Sequence, residues 1–146
     1  VSRAALPTEA DFPFWTEEKL RIADTDHNGH INNGATGAFC EAGRAELMAA
    51  VGGDRTERGF AMAVARVAID YLREIHYPGR IRIGSRVTRI GTSSVTVAQG
   101  LFKDGVLFAR AENVMVILDP ETRRPMPISA GLQAGFEALA GAGGLR

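Results

Sequence analysis

Two carboxylates, two imidazoles and three carboxamides crowd into one short stretch: Asp24, Asp26, His27, Asn28, His30, Asn32 and Asn33. Polar groups this dense do not build a core, because burying each without a partner costs about 2–7 kcal/mol. They build a metal loop, a cap or a reactive site. Calcium binding is the first chemistry to weigh. A helix-flanked calcium loop reads D-x-D-x-[DN]-G and places a bidentate Glu at its twelfth position. Asp24, Asp26, Asn28 and Gly29 fill the early places and Ile31 the apolar one, but the twelfth is Ala35. Without that Glu the ion loses two oxygens, so tight calcium binding is not expected.

Acyl chemistry is the second candidate. After Asn32 and Asn33 the chain reads as a long helix that Gly52-Gly53 would stop, and Asn is a good residue to cap its start. The loop would then deliver Asp26, Asn28 and His30 beside the unpaired N–H groups of a first helical turn. Those donors and the helix dipole favour negative charge. A carboxylate next to an oxyanion pocket is the minimum equipment for attack on an acyl carbonyl. The competing role for Asp26 is capping its own loop through Asx-type bonds. For His30 it is a plain hydrogen-bonded loop histidine. Asp24 is expected to hold the loop together, and His27 to face solvent.

The elements around the loop set a frame for it. Residues 12–23 read as a first strand, and residues 60–75 as a long apolar, buried strand. Ile81, Ile83 and Val87 alternate with Arg82, Gly84 and Arg86, which is strand periodicity. Val95-Thr96-Val97 opens another strand. Asp104-Gly105 between alternating runs is a strong hairpin signal. The returning strand runs from Val106 to Leu118 and ends at Asp119-Pro120. Ser129 looks like the cap of a last helix over residues 131–140. One helix followed by consecutive strands predicts an α+β domain, an antiparallel sheet wrapped around that helix. Gly37, Ala38, Ala42, Gly43, Ala45 and Ala49 keep the helix surface small. Glycine costs an isolated helix about 1 kcal/mol relative to Ala, so close packing must compensate.

Composition narrows the function classes. At 146 residues a single domain is the default, with a core over about 12–140 and a frayed tail around Gly141-Ala142-Gly143-Gly144. Seventeen basic residues balance seventeen acidic ones, which gives no electrostatic case for a nucleic-acid or membrane partner. No apolar run is long enough to span a bilayer, and no secretory leader pattern opens the sequence. A lone cysteine, Cys40, cannot form an internal disulfide, so a reducing, cytoplasmic setting is expected. Mid-helix among apolar neighbours it is expected to be inert. His27, His30 and His76 lack zinc spacing, so no metal is expected. Ser93 and Ser94 have no Gly-x-Ser-x-Gly context, which argues against a serine hydrolase.

The run R-x-x-D-T-D-x-N-G-H-I-N-N from Arg21 to Asn33, followed by F-x-E-x-x-R from Phe39 to Arg44, resembles the hotdog-fold acyl-CoA thioesterases of the 4-hydroxybenzoyl-CoA thioesterase type. Weaker similarities follow in the family's order: residues 64–73 at its long central strand, Tyr77-Pro78-Gly79 at a turn, 89–95 at its I-G-x-S-S segment, and 119–128 at its closing hairpin. They span about residues 12–140. The resemblance implies a hotdog fold and hydrolysis of an acyl-CoA thioester, with coenzyme A as part of the substrate and no separate cofactor. It implies Asp26 as nucleophile or general base and the backbone N–H of Asn33 as oxyanion donor. Asn28 and His30 resemble the D-x-N-x-H set of the acyl-carrier-protein branch, where they assist the carboxylate. Arg89, Ser93 and Ser94 are expected to touch pantetheine or phosphate. Glu41 could orient a water, but an ion pair with Arg44 is the expectation. The resemblance also implies a homodimer, or a dimer of dimers (a homotetramer), paired through the central strand around Met62 to Asp70. The rival functions are an acyl-carrier-protein thioesterase, a hotdog hydratase or dehydratase, and a non-catalytic acyl-CoA-binding protein.

Overall fold

A computed structural model of the chain describes residues 5–52 and 59–146. Its elements run β1 (Phe14–Lys19), α1 (Asn33–Gly52), β2 (Ala61–Tyr71), β3 (Arg80–Ile90), β4 (Ser94–Lys103), β5 (Val106–Leu118) and α2 (Ala130–Glu137). The strands form one antiparallel sheet in the order β1-β3-β4-β5-β2. The long helix lies across it, which is the expected hotdog arrangement. Gly52 closes α1, while Gly53 lies outside the described residues.

The helix packs because its buried residues come in pairs every four positions: Ala35 and Thr36, Phe39 and Cys40, Gly43 and Arg44, Leu47 and Met48. That spacing makes one face at 3.6 residues per turn. The face is shallow where it meets the sheet. A methyl built on Gly43 would stand 2.6 Å from Gln99 Nε2 and 2.9 Å from Ile83 Cγ2. Phe39 and Cys40 join Leu20, Ile81, Ile83 and Leu101 in one apolar cluster. Leu47 and Met48 join Val87, Val97, Met115 and Phe136 in another. A polar chain runs beside them. Arg44 donates to Asn113 Oδ1 at 2.8 Å, and Asn113 donates to Gln99 Oε1 at 2.9 Å. Gln99 in turn donates to the Cys40 carbonyl at 3.1 Å. Arg44 therefore turns inward and does not make the expected pair with Glu41, which stays exposed. Buried carbonyl-type oxygens of the sheet supply the acceptors that Glu41 was expected to supply.

Three further expectations change. The first strand is shorter than residues 12–23: it stops at Lys19, and a 3-10 turn spans Ile22–Asp24. The turn forms because the Asp24 carboxylate caps the Arg21 N–H at 2.8 Å. Second, β2 is not a buried strand. Among the described residues it pairs only with β5 and forms the sheet edge that the expected pairing of two subunits needs, with Val64 45% and Val67 41% exposed within one chain. Third, the glycine-rich tail is tied down. β1 covers β3 only as far as Ser85, which leaves the rest of that edge open. The tail fills it: Val87 N–H donates to Leu139 O at 2.8 Å, and Arg146 N–H to Thr88 O at 2.8 Å. Gly141 and Gly144, at φ +72° and +64°, make the turns this path needs.

The hairpin after β4 is as expected. Asp104 and Gly105 have φ of 51° and 76°, the left-handed pair of a type I′ turn. Ser129 Oγ accepts from Leu132 N–H at 3.2 Å and caps α2.

The Gly43 approach makes a stability prediction. Gly43→Val should lower the unfolding free energy by about 1–3 kcal/mol through overpacking. Gly37 has open space around it, so Gly37→Ala should instead add up to about 1 kcal/mol through helix propensity. Urea denaturation of both variants decides. Equal stability of the two would mean that the helix does not press on the sheet at Gly43.

Candidate active site

The polar loop is a closed turn. Thr25 and Ile31 form an isolated antiparallel bridge at its base. Within it Asp26 N–H donates to His30 O at 2.8 Å, and Gly29 N–H donates to Asp26 O at 3.0 Å. Gly29 supplies the required φ of +78°. One oxygen of the Asp26 carboxylate, Oδ1, accepts from Asn28 N–H at 2.9 Å and His30 N–H at 3.2 Å. The Asx-type capping that competes with a chemical role is thus present, and it uses one oxygen. Among the described residues no donor reaches the other, Oδ2.

Asp24 anchors the loop. It is 3% exposed and accepts from Arg21 N–H and from the Arg21 guanidinium at 2.9 Å. Its carbonyl accepts from Asn32 N–H at 2.9 Å. Burial pushes the Asp24 carboxyl up, but the Arg21 guanidinium and backbone N–H together hold it below the usual carboxylate range. Asn32 is the helix cap: its Oδ1 accepts from Ala35 N–H at 2.7 Å. Asn33 is the first helical residue, so its N–H lies among the first-turn donors that have no intrahelical acceptor.

A cavity of about 310 Å³ opens between this loop, the start of α1 and the end of β2. Asp26, His30, Asn33, Thr36, Tyr71 and Phe108 are among its walls. Tyr71 donates to the Asn33 carbonyl at 3.3 Å and closes one side. A carboxylate, an imidazole and a helix N-terminus therefore share one space. Asn28 is exposed and lies outside the cavity wall, contributing only its backbone N–H to Asp26. His27 is exposed, as expected. Cys40 is fully buried, and burial pushes its thiol up to about 11, which leaves almost no thiolate near neutral pH.

Arg89, Ser93 and Ser94 are not near Asp26 within one chain. Ser94 pairs with Val116 across β4 and β5. Phe108, on the cavity wall, lies eight residues back along β5, or about 26 Å at strand spacing.

Residues from the segment after β2 were not foreseen. Glu74 Oε2 lies 3.2 Å from His30 Nε2. His76 Nδ1 lies 3.0 Å from the Gly29 carbonyl, and the His30 and His76 rings meet edge-on at 5.0 Å. One ligand-type atom from each of His30, Glu74 and His76 falls within 4.8 Å of the other two. Linear spacing cannot reveal such a group, because 46 positions separate His30 from His76 and only the return from β2 joins them. An acidic residue and a His just past a strand end were the available signal.

Residues 20–136 match the family model described as "Thioesterase-like superfamily". The chain belongs to that superfamily and is a thioester hydrolase. Solved structures agree with the fold. A protein from Pseudomonas aeruginosa is 28% identical with a TM-score of 0.85, over 93% of this chain and 97% of that one. A predicted thioesterase from Bacillus stearothermophilus is 27% identical with a TM-score of 0.80, over 87% and 96%. A thioesterase from Thermus thermophilus, solved in complex with coenzyme A and zinc, is 29% identical with a TM-score of 0.80, over 88% and 95%. None of the described helices is long and apolar enough to cross a membrane.

The Asp24 anchor predicts a stability defect separate from chemistry. Asp24→Asn should cost about 1–3 kcal/mol, the penalty for weakening hydrogen bonds to a buried charged group. The sign with pH follows from a lowered native pKa: the contribution is full above the unfolded carboxylate range and disappears as pH falls through the native value. Thermal melts between pH 7 and pH 3 should show wild type converging on the variant at the acid end. A gap that stays constant with pH would show that the Asp24 charge does not hold the loop.

Proposed function

We propose that the chain hydrolyses an acyl-CoA thioester to a free acid and coenzyme A, in the manner of the 4-hydroxybenzoyl-CoA type. The observation that carries this is the shared cavity: Asp26 with one uncommitted oxygen, facing the first turn of α1. The coenzyme A complex of the similar Thermus thermophilus thioesterase supports the choice of carrier.

The thioester carbonyl sits with its oxygen toward the Asn33 N–H. Asp26 Oδ2 attacks the carbonyl carbon or takes a proton from the water that does. Both routes need the ionised form. Negative charge then grows on the carbonyl oxygen, where the Asn33 N–H and the α1 dipole stabilise it. The carbon–sulfur bond breaks as the tetrahedral centre collapses, and coenzyme A leaves as the thiolate, which takes up a proton from water. On the nucleophilic route water then cleaves the acyl–Asp26 anhydride, releasing the acid and restoring the carboxylate. His30, fixed by the loop and facing the same cavity, assists proton movement. Asn28 holds Asp26 through its backbone N–H. Water is the only co-reactant, so no separate cofactor takes part.

Two chains complete the site. β2 is an eleven-residue apolar strand on a sheet edge, a hazard if left unpaired. Two-fold pairing of β2 with its copy runs antiparallel, so the start of one β2 lies beside the end of the other. Ala63 near the start of β2 lies in the same cross-sheet row as Val116 and Ser94. Pairing therefore carries Ser94 of the partner subunit toward the Asp26 end of the first chain. Arg89 and Ser93 travel with that row. The pantetheine and phosphate contacts expected of these residues are then made across the interface, and a dimer of dimers would repeat the arrangement.

Two results follow. Asp26→Asn keeps the side-chain size and the Oδ1 acceptor but removes the charge, so turnover should fall at least about a hundredfold, the low end for a lost general base. His30→Ala should fall between wild type and Asp26→Asn. Thiol release from acyl-CoA measures both, and full activity in Asp26→Asn would remove the carboxylate from the mechanism. Light scattering should give a dimer or tetramer. A stable monomer with full activity would refute the shared site.

A further inference from the structure

We infer that His30, Glu74 and His76 form a binding site for one divalent transition-metal ion of borderline softness, of which zinc is the type. The donor set is two imidazoles and a carboxylate. Imidazole nitrogens select zinc-like ions over calcium and magnesium, which prefer all-oxygen shells.

The geometry is close to what such an ion needs. A zinc ion with bonds of about 2.0–2.1 Å in a tetrahedral shell holds its ligands about 3.3 Å apart. His30 Nε2 and Glu74 Oε2 stand 3.2 Å apart as an ion pair, and the metal would take the place of the proton between them. The three donor atoms all lie within 4.8 Å of one another. Glu74 and His76 are exposed and His30 is half-buried, which leaves the two exposed side chains room to turn toward a shared ion.

The tautomer of His76 is fixed in the right sense. The Gly29 carbonyl can only accept, so the 3.0 Å contact places a proton on Nδ1. A neutral His76 then carries its lone pair on Nε2. A ring nitrogen that donates to a backbone carbonyl while the other binds metal is the usual outer-shell arrangement of a metal-bound histidine. Three protein ligands leave a fourth position for water, on a site that borders the Asp26 cavity through His30 and Glu74.

The site also joins two segments that the sequence keeps apart. His30 sits on the loop before α1, and Glu74 and His76 sit on the connection from β2 to β3. A bound ion would staple these segments together. It binds the folded chain and not the unfolded one, so it should raise the melting temperature.

Binding is measured with the metal alone and no substrate, so it stands or falls separately from the thioesterase mechanism. Isothermal titration of the full chain with zinc chloride should give one ion per chain. Cobalt(II) in its place should give the intense visible absorption of a four-coordinate centre. Zinc at about a hundredfold over its dissociation constant should raise the melting temperature by about 5 °C or more, and EDTA should reverse the rise. His76→Gln and Glu74→Gln, both at exposed positions, should each weaken zinc binding at least about tenfold, the low end for a lost contact to the metal centre. His27→Ala removes an exposed histidine outside the cluster and should bind as wild type does. Circular dichroism checks that each variant is folded. No zinc uptake by the wild type would overturn the site, as would equal affinity in folded His76→Gln and Glu74→Gln. Loss of binding in His27→Ala instead would move the metal off this cluster.

Discussion

The close seating of α1 on the sheet is the constraint from which the rest follows. Gly43 lets the helix backbone approach Ile83 and Gln99 to a distance that no side chain would allow. At that distance the Cys40 carbonyl is within reach of Gln99, and Arg44 within reach of Asn113. A buried guanidinium is costly unless its donors are satisfied. Asn113 accepts from Arg44 where no carboxylate of the described residues is at hand, and the Asn113–Gln99–Cys40 chain ties the helix to the sheet. The N-terminus of α1 is thereby held against the end of β2. The polar loop, only one residue upstream through Asn32, has no freedom to leave that corner.

The corner separates two tasks between two neighbouring carboxylates. Asp24 is buried, charged and tied to Arg21, and its work is architectural. Asp26 spends one oxygen on the loop and lines the cavity. Neither role follows from the residue type. They follow from one position closing the 3-10 turn and the other lying in the cavity wall. A second cavity of about 290 Å³, beside Phe60 and Met126, has neither a carboxylate nor an imidazole among the described residues of its wall.

Much of this was legible in the sequence, for identifiable reasons. The helix could be placed because small residues, a capping Asn and a terminal glycine pair mark its extent locally. β3, β4 and β5 alternate cleanly, and Asp104-Gly105 carries its own turn signal. The errors arose where a residue's fate depends on distant chain. Residues 60–75 are apolar enough to suggest burial, but hydropathy does not tell a covered strand from an edge that another copy could cover. Arg44 looked like the partner of Glu41 because helix spacing is visible and the Asn113 acceptor, 69 positions away, is not. The tail looked frayed because nothing local showed that β1 pairs with β3 only as far as Ser85 and leaves half of the β3 edge open. The His30, Glu74 and His76 group was illegible for the same reason, since it exists only after β2 returns to the loop.

The most direct test of the account is a crystal structure of the chain with a non-hydrolysable acyl-CoA ketone, in which a methylene replaces the thioester sulfur. The account predicts the ketone oxygen within hydrogen-bond distance of the Asn33 N–H and the Asp26 carboxylate facing the carbonyl carbon. It also predicts the pantetheine running along the paired β2 strands toward Ser94 of the partner subunit. An acyl group seated in the cavity beside Phe60 and Met126, with its carbonyl remote from Asp26, would contradict it.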